Sequence, residues 1–154
     1  MNLSDEQLLA LRRSGIRLDR EGRFWHEGHE VTHFGLRDAL WRWLDRDPDG
    51  RYVLRLDAER FAYIDVEDVP QIVRSLRWEG DRALAVLADG GEEELDLSTV
   101  RLRPDGTPVC AVRSGRLEAR IATAAWGVLA ERLRERDGGV WLEARGGPYR
   151  LAGK

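Results

Sequence analysis

The sequence predicts an α+β fold: two tandem strand–helix–strand repeats, each a curved antiparallel sheet covered by one helix, joined by a β-meander. Three observations lead there. Short alternating runs of apolar residues are punctuated by Asp-Gly, Glu-Gly and Gly-Gly turns. Two stretches carry the 3.6-residue apolar period of an amphipathic helix. The segment Val100-Arg101-Leu102-Arg103-Pro104-Asp105-Gly106 also echoes Ile16-Arg17-Leu18-Asp19-Arg20-Glu21-Gly22 at a constant offset, and the elements that follow keep the same order.

The chain opens as a short helix. Ser4 caps it with Gln7 as capping-box partner, Leu3 and Leu8 stand where a hydrophobic staple would, and Gly15 closes the end. Ile16–Asp19 alternates as a strand, Arg20-Glu21-Gly22 turns the chain, and Arg23–Glu27 returns as its hairpin partner. After Thr32, placed to cap a helix, Leu36, Leu40, Trp43 and Leu44 form one apolar stripe, and Asp47-Pro48-Asp49-Gly50 ends it. Strands follow near Arg51–Leu56 and Phe61–Val66. Gln71–Trp78, Arg82–Leu87 and Glu92–Leu97, separated by Gly turns, read as the meander. The second copy then runs through a strand at Thr107–Val112 and a helix near Ala122–Arg136. In that helix Ala125, Trp126, Leu129 and Leu133 share a face, and Gly138-Gly139 stops it. Two closing strands follow, Val140–Leu142 and one led by Gly147-Pro148-Tyr149. The natural division is an N-terminal repeat over 1–70 and the meander with the C-terminal repeat over 71–154.

A hydrophobic fraction of 42% and a charged fraction of 34% suit a globular chain. The net charge of -3 offers no general attraction to nucleic acid or to anionic lipid, so neither is an expected partner. No apolar run is long enough to span a bilayer, and the polar, acidic start is unlike a signal peptide, so the expected address is the cytoplasm. Lys154 is the only lysine; the other long cations are arginines. Guanidinium binds phosphate and carboxylate in a bidentate way, and a GC-rich genome favours the same residue. Cys110, the only cysteine, lies in an apolar strand-like run and reads as a packed core thiol.

Leu18-Asp19-Arg20-Glu21-Gly22-Arg23-Phe24-Trp25-His26-Glu27-Gly28 resembles the opening of an uncharacterised bacterial family, domain of unknown function 1285 (DUF1285). The turn and strand Arg46–Leu54, the acidic segment Ile64–Pro70, and Arg113, Leu117-Glu118-Ala119 and Gly146-Gly147-Pro148-Tyr149 extend the likeness over nearly the whole chain. One departure is Gln71, where the family usually has an aromatic residue. The resemblance implies repeated α+β motifs and no established reaction; a binding or signalling role is the family's general supposition.

Two constellations could carry chemistry. His29-Glu30-Val31-Thr32-His33 is a literal H-E-x-x-H, the zinc-binding and water-activating pattern of metalloproteases, with His26 nearby. That chemistry needs a helix through all five residues, whereas Gly28, Val31 and Thr32 favour a strand-to-helix junction. Asp65, Glu67 and Asp68 are the second: alternation puts Asp65 and Glu67 on one strand face, where paired carboxylates could hold a ligand or simply cap a turn. Of the six tryptophans, Trp43 and Trp126 fall on apolar helical faces and Trp41 lies off its stripe.

The expectation is a non-enzymatic small-ligand-binding or protein-interaction module with a regulatory or signalling role. It needs no cofactor, and its partner is a small polar ligand or another protein. It is a monomer or homodimer, and its site is formed by Trp25, His26, Glu59, Asp65, Glu67 and Asp68 where the repeats meet. The alternative is a zinc-dependent hydrolase using His29 and His33 with Glu30 as base.

Overall fold

The computed structural model describes residues 12–153. The chain divides into two compact units, Met1–Pro70 and Gln71–Lys154.

The first unit is one six-stranded mixed sheet with a helix against it. Strand β1 (Arg13–Leu18) turns at Asp19–Gly22 into β2 (Phe24–His26) and the two-residue β3 (His29–Glu30). Helix α1 (Phe34–Trp43) follows, then β4 (Leu44–Arg46), β5 (Tyr52–Arg55) and β6 (Phe61–Val66). The spatial order is β3-β2-β1-β6-β5-β4. All neighbours are antiparallel except β1 and β6, which run parallel at the centre. The expectation of a purely antiparallel sheet is corrected here. The connection from β2 to β6 carries the helix across, as a parallel pairing demands.

The second unit holds β7 (Gln71–Glu79), β8 (Arg82–Leu87), β9 (Glu92–Glu94), a 3₁₀ turn at Leu97–Thr99, β10 (Arg101–Leu102), β11 (Pro108–Val112) and β12 (Leu117–Ile121). These make a second six-stranded sheet in the order β10-β11-β12-β7-β8-β9, again with one parallel pair, β12 beside β7. Helix α2 (Thr123–Ala130) packs on β7. A three-stranded sheet of β13 (Leu133–Arg136), β14 (Gly139–Leu142) and β15 (Tyr149–Gly153) completes the unit, with β15 alongside β10. The meander is thus part of the second unit's own sheet and does not join two sheets. Its partner β12, Leu-Glu-Ala-Arg-Ile, has the alternating burial of a strand.

The first unit and the part of the second from β10 onward share one order of elements: three consecutive antiparallel strands, a helix, then a three-strand antiparallel run. In the first unit β6 hydrogen-bonds to β1 and merges both halves into one sheet; in the second, β15 only lies beside β10.

Both helices are shorter than their apolar periods predict, for one shared reason. Leu44 and Leu133 continue the helical stripe in sequence, but each begins a strand that pairs in a hairpin, Leu44 with Leu54 and Leu133 with Leu142. Asp47–Gly50 and Asp137-Gly138 are therefore hairpin turns and not helix stops. The expected N-terminal helix falls on residues outside those described; Gly15 lies inside β1 at φ +71°, where a residue without Cβ is favoured. The cores are apolar: Leu18, Phe24, Leu40, Trp41, Val53 and Leu54 in the first unit, and Val73, Leu87, Val109, Cys110, Leu129 and Leu142 in the second.

Candidate functional site

The face of the first sheet away from α1 carries a row of polar and aromatic side chains. Register puts Trp25 of β2 opposite Arg17 of β1, and Arg17 opposite Asp65 of β6, so all three share one face. The Arg17 guanidinium lies 5.6 Å from the centre of the Trp25 ring and 3.6 Å from a Glu67 carboxylate oxygen. Glu67 also accepts from the backbone N–H of Arg20 at 2.9 Å. Three of the residues singled out from sequence, Trp25, Asp65 and Glu67, are thus gathered around Arg17. Arg17 itself was missed; the alternation Ile16-Arg17-Leu18 on an apolar strand was its only signal.

A bulge shapes what lies beside this row. Arg13 pairs with Tyr63 and Arg17 with Asp65, so four steps along β1 match two along β6. Gly15 supplies the positive φ, and Ser14 holds the bulge shut: its hydroxyl donates to the Tyr63 carbonyl at 2.6 Å and accepts from the Ile16 N–H at 3.1 Å. Next to the bulge opens a cleft of about 630 Å³, lined by Arg13, Gly50, Arg51, Tyr52, Tyr63 and Asp65 among others. Arg51 lies over the Tyr63 ring at 5.1 Å and pairs with Asp49 at 3.4 Å. Of the expected site residues, Asp65 alone lines this cleft.

The remaining candidates lie elsewhere. Glu59 borders a different groove, between Leu36, Leu40 and Trp43 of α1 and Leu54 and Phe61 of the sheet; its carbonyl accepts from Arg12. His26 is exposed and pairs with Ile16 and His29, on the opposite face from Trp25. Asp68 follows Glu67 beyond the end of β6 and is half-buried.

Trp25 is held by a residue that the sequence marks only as the end of the first strand. Asp19, only 6% exposed, accepts from Trp25 Nε1 at 2.8 Å, from Arg23 Nε at 3.0 Å, and from the backbone N–H groups of Glu21 and Arg23. Burial alone would raise its pKa. The hydrogen bonds from Trp25 and Arg23 outweigh that, and the carboxyl sits below its ordinary 3.8.

The H-E-x-x-H segment does not form the helical face that the hydrolase alternative requires. His29 and Glu30 are in β3, the Val31 N–H donates to the Phe24 carbonyl at 2.8 Å, and His33 is the N-cap of α1. His33, in place of the expected Thr32, caps the helix by accepting from the Leu36 N–H at Nδ1, 3.1 Å. Among the described residues no three His, Cys, Asp or Glu side chains converge as a metal site. Among the same residues, no helix is long and apolar enough to cross a membrane.

No protein-family model matches the sequence, and no curated protein matches it. Solved structures do. A DUF1285 family protein from Silicibacter pomeroyi DSS-3 superposes with a TM-score of 0.74 at 19% identity, over 92% of this chain and 81% of that one. A second, from Shewanella baltica OS155, has a TM-score of 0.62 at 14% identity, over 75% of this chain and 90% of that one. The resemblance to DUF1285 carried by the sequence motifs is therefore present in the fold.

Proposed function

We propose that this protein is a binding module with a regulatory role, and that its first unit holds a small polar ligand in the cleft beside the β1 bulge. The observation that carries this reading is the cleft itself: about 630 Å³, open to solvent, with Arg13, Arg51, Tyr63 and Asp65 converging on it. Small-molecule sites have this size and this mixture of aromatic walls and a few placed polar groups. Bulges recur beside binding sites because they re-aim side chains, and this one separates Arg13 from Arg17. The row Trp25–Arg17–Asp65 with Glu67 continues from the cleft and offers a surface that could register occupancy. We read the two units as copies of one motif in which the first carries the binding site, since the bulge and the cleft beside it lie in the first unit.

The test is a thermal-shift screen against polar metabolites, with Tyr63→Ala and Asp65→Asn as controls. The expected result is at least one ligand that raises the Tm of the native chain and not of both variants. A screen with no stabilising compound and no co-purifying molecule would leave the reading without support.

A further inference from the structure

We propose that the segment of residues 1–11 docks as an amphipathic helix in the apolar groove beside α1, on the sheet face opposite Asp65 and independently of the cleft.

The groove follows from a mismatch of widths. Six strands about 4.8 Å apart make a sheet roughly 24 Å across, whereas one helix with its side chains covers about 10 Å. The first sheet has six strands and, among the described residues, a single ten-residue helix against it. Helix α1 rests on the β1–β2 side, where Trp41 meets Phe24. The β5–β6 side keeps apolar groups of its own. Leu54 pairs with Ala62, so the two share a face, and with Ile16, Leu56, Leu36 and Trp43 they line a groove of about 620 Å³. Leu36 and Leu56 are exposed there. A contiguous exposed apolar patch marks a contact surface.

Arg12 identifies the segment that covers it. The described chain begins at Arg12, whose backbone is α-helical, and Arg12 itself lines the groove. Its guanidinium donates to the carbonyls of Glu59 at 3.1 Å and Phe61 at 3.0 Å, and lies 3.7 Å from the centre of the Phe61 ring. The chain is thereby fixed on the rim of the groove just before β1 begins at Arg13. A helix started by the Ser4 and Gln7 capping box and running into Arg12 makes about two turns and spans about 12 Å, against about 15 Å for α1. Leu8 and Leu11 fall on one face of such a helix with Leu3 beside it, and Asp5 and Glu6 fall away from that face. Two helices lying side by side fill the width that one leaves open. Because the segment is joined directly to the rim, its effective concentration at the groove is on the order of millimolar, which a second copy in solution does not match.

Thiol probes test this, since Cys110 is buried and the chain has no other cysteine. In the full chain, Leu36→Cys and Leu56→Cys should each be alkylated by iodoacetamide at least tenfold faster once Leu8→Asp and Leu11→Asp are added. Arg51→Cys, on the Tyr63 face of the sheet, should react at one rate with and without the aspartates. Val53→Cys, at a fully buried position of the first unit, reports folding by staying unreactive. Equal rates at both groove probes in a folded background overturn the proposal. Where the aspartates unfold the unit, cross-linking decides in a chain that carries no added charge. Leu8→Cys with Leu36→Cys, treated with bismaleimidoethane at micromolar protein, should be linked within one chain, and Leu8→Cys with Arg51→Cys should not. No link to Leu36→Cys overturns the proposal, as do equal links to both positions. Links only between chains overturn it too, because they would seat the segment of a second copy in the groove.

Discussion

Asp19 shows how much one carboxylate can organise. Its two oxygens gather two backbone N–H groups, the Arg23 guanidinium and the Trp25 indole, and so tie the first turn to the wall of the candidate site. Asp19→Asn keeps the size of the side chain and removes the charge; Asp19→Ala leaves a partly buried indole N–H without this partner. The alanine variant should lose about 1–3 kcal/mol of stability, measured by urea unfolding. The carboxyl's lowered pKa sets the pH dependence. Its contribution is fully present above about 3.8 and is lost as pH falls through the folded-state value, so native and Asp19→Asn stabilities should converge below that range. Cys110 makes the opposite point. It is fully buried on β11 opposite Ala119, and burial, with Glu93 and Glu118 adding to it, pushes the thiol up to about 12. A thiol so protonated is a poor nucleophile. Alkylation by iodoacetamide at pH 8 should be negligible in the folded protein and complete in denaturant.

At the scale of elements, the helices depart most from expectation. The stripe Leu36, Leu40, Trp43 and Leu44 implied that Trp43 enters the core, with Trp41 off that stripe and packed elsewhere. Trp41 is packed, but in the core itself, and Trp43 is the one displaced. Trp41 is 4% exposed and meets Phe24 edge-on with ring centres 4.9 Å apart, while Leu36 is 44% exposed and Trp43 is half-buried beside a groove. The cause is the early end of α1. Once Leu44 is drawn into the β4–β5 hairpin, the helix rests on Ala39, Leu40 and Trp41 instead. Trp41→Ala should therefore cost about 3–5 kcal/mol, the range for emptying a buried aromatic site. Trp43→Ala should cost clearly less. Equal losses in denaturant titrations would contradict this placement. The same displacement makes Leu133–Arg136 a strand, so the second helix does not reach Arg136 as its apolar period predicts.

Across the whole molecule, each unit is built around one parallel strand pair. In the second unit, β7 and β12 are flanked on both sides, and Val73, Leu76, Ala119 and Ile121 on them are buried. Strands β3 and β9 are edges and carry exposed His29, Glu30, Glu92 and Glu94. Central, buried amides open only with large-scale unfolding, whereas edge amides open locally. Hydrogen exchange should accordingly be slowest in β7 and β12 and fast in β3 and β9. Rapid exchange throughout β7 would mean that it is not the centre of its sheet.

The turns were legible from sequence because their causes are local. Gly22, Gly50, Gly80, Gly90, Gly106 and Gly138 all adopt positive φ, a conformation glycine reaches without strain, and each stands at a turn that composition alone marks. Most strands between them were legible for the same reason, as was the repeated order of elements and, through its motifs, the resemblance to DUF1285. Strand β12 could have been read as well, since Leu-Glu-Ala-Arg-Ile alternates plainly. Trp25, Asp65 and Glu67 could be singled out because they are large or charged groups on, or just beyond, strands that composition marks. What joins them was not legible. Arg17 meets Asp65 only because β1 pairs in parallel with a strand nearly fifty residues away, and the cleft exists only because that pairing slips around Gly15. Helix length, the choice between Trp41 and Trp43, and the burial of Asp19 likewise depend on which distant backbone supplies hydrogen bonds. Local chemistry determined where this chain turns and alternates; the long-range pairing of its strands decided which side chains face a common space.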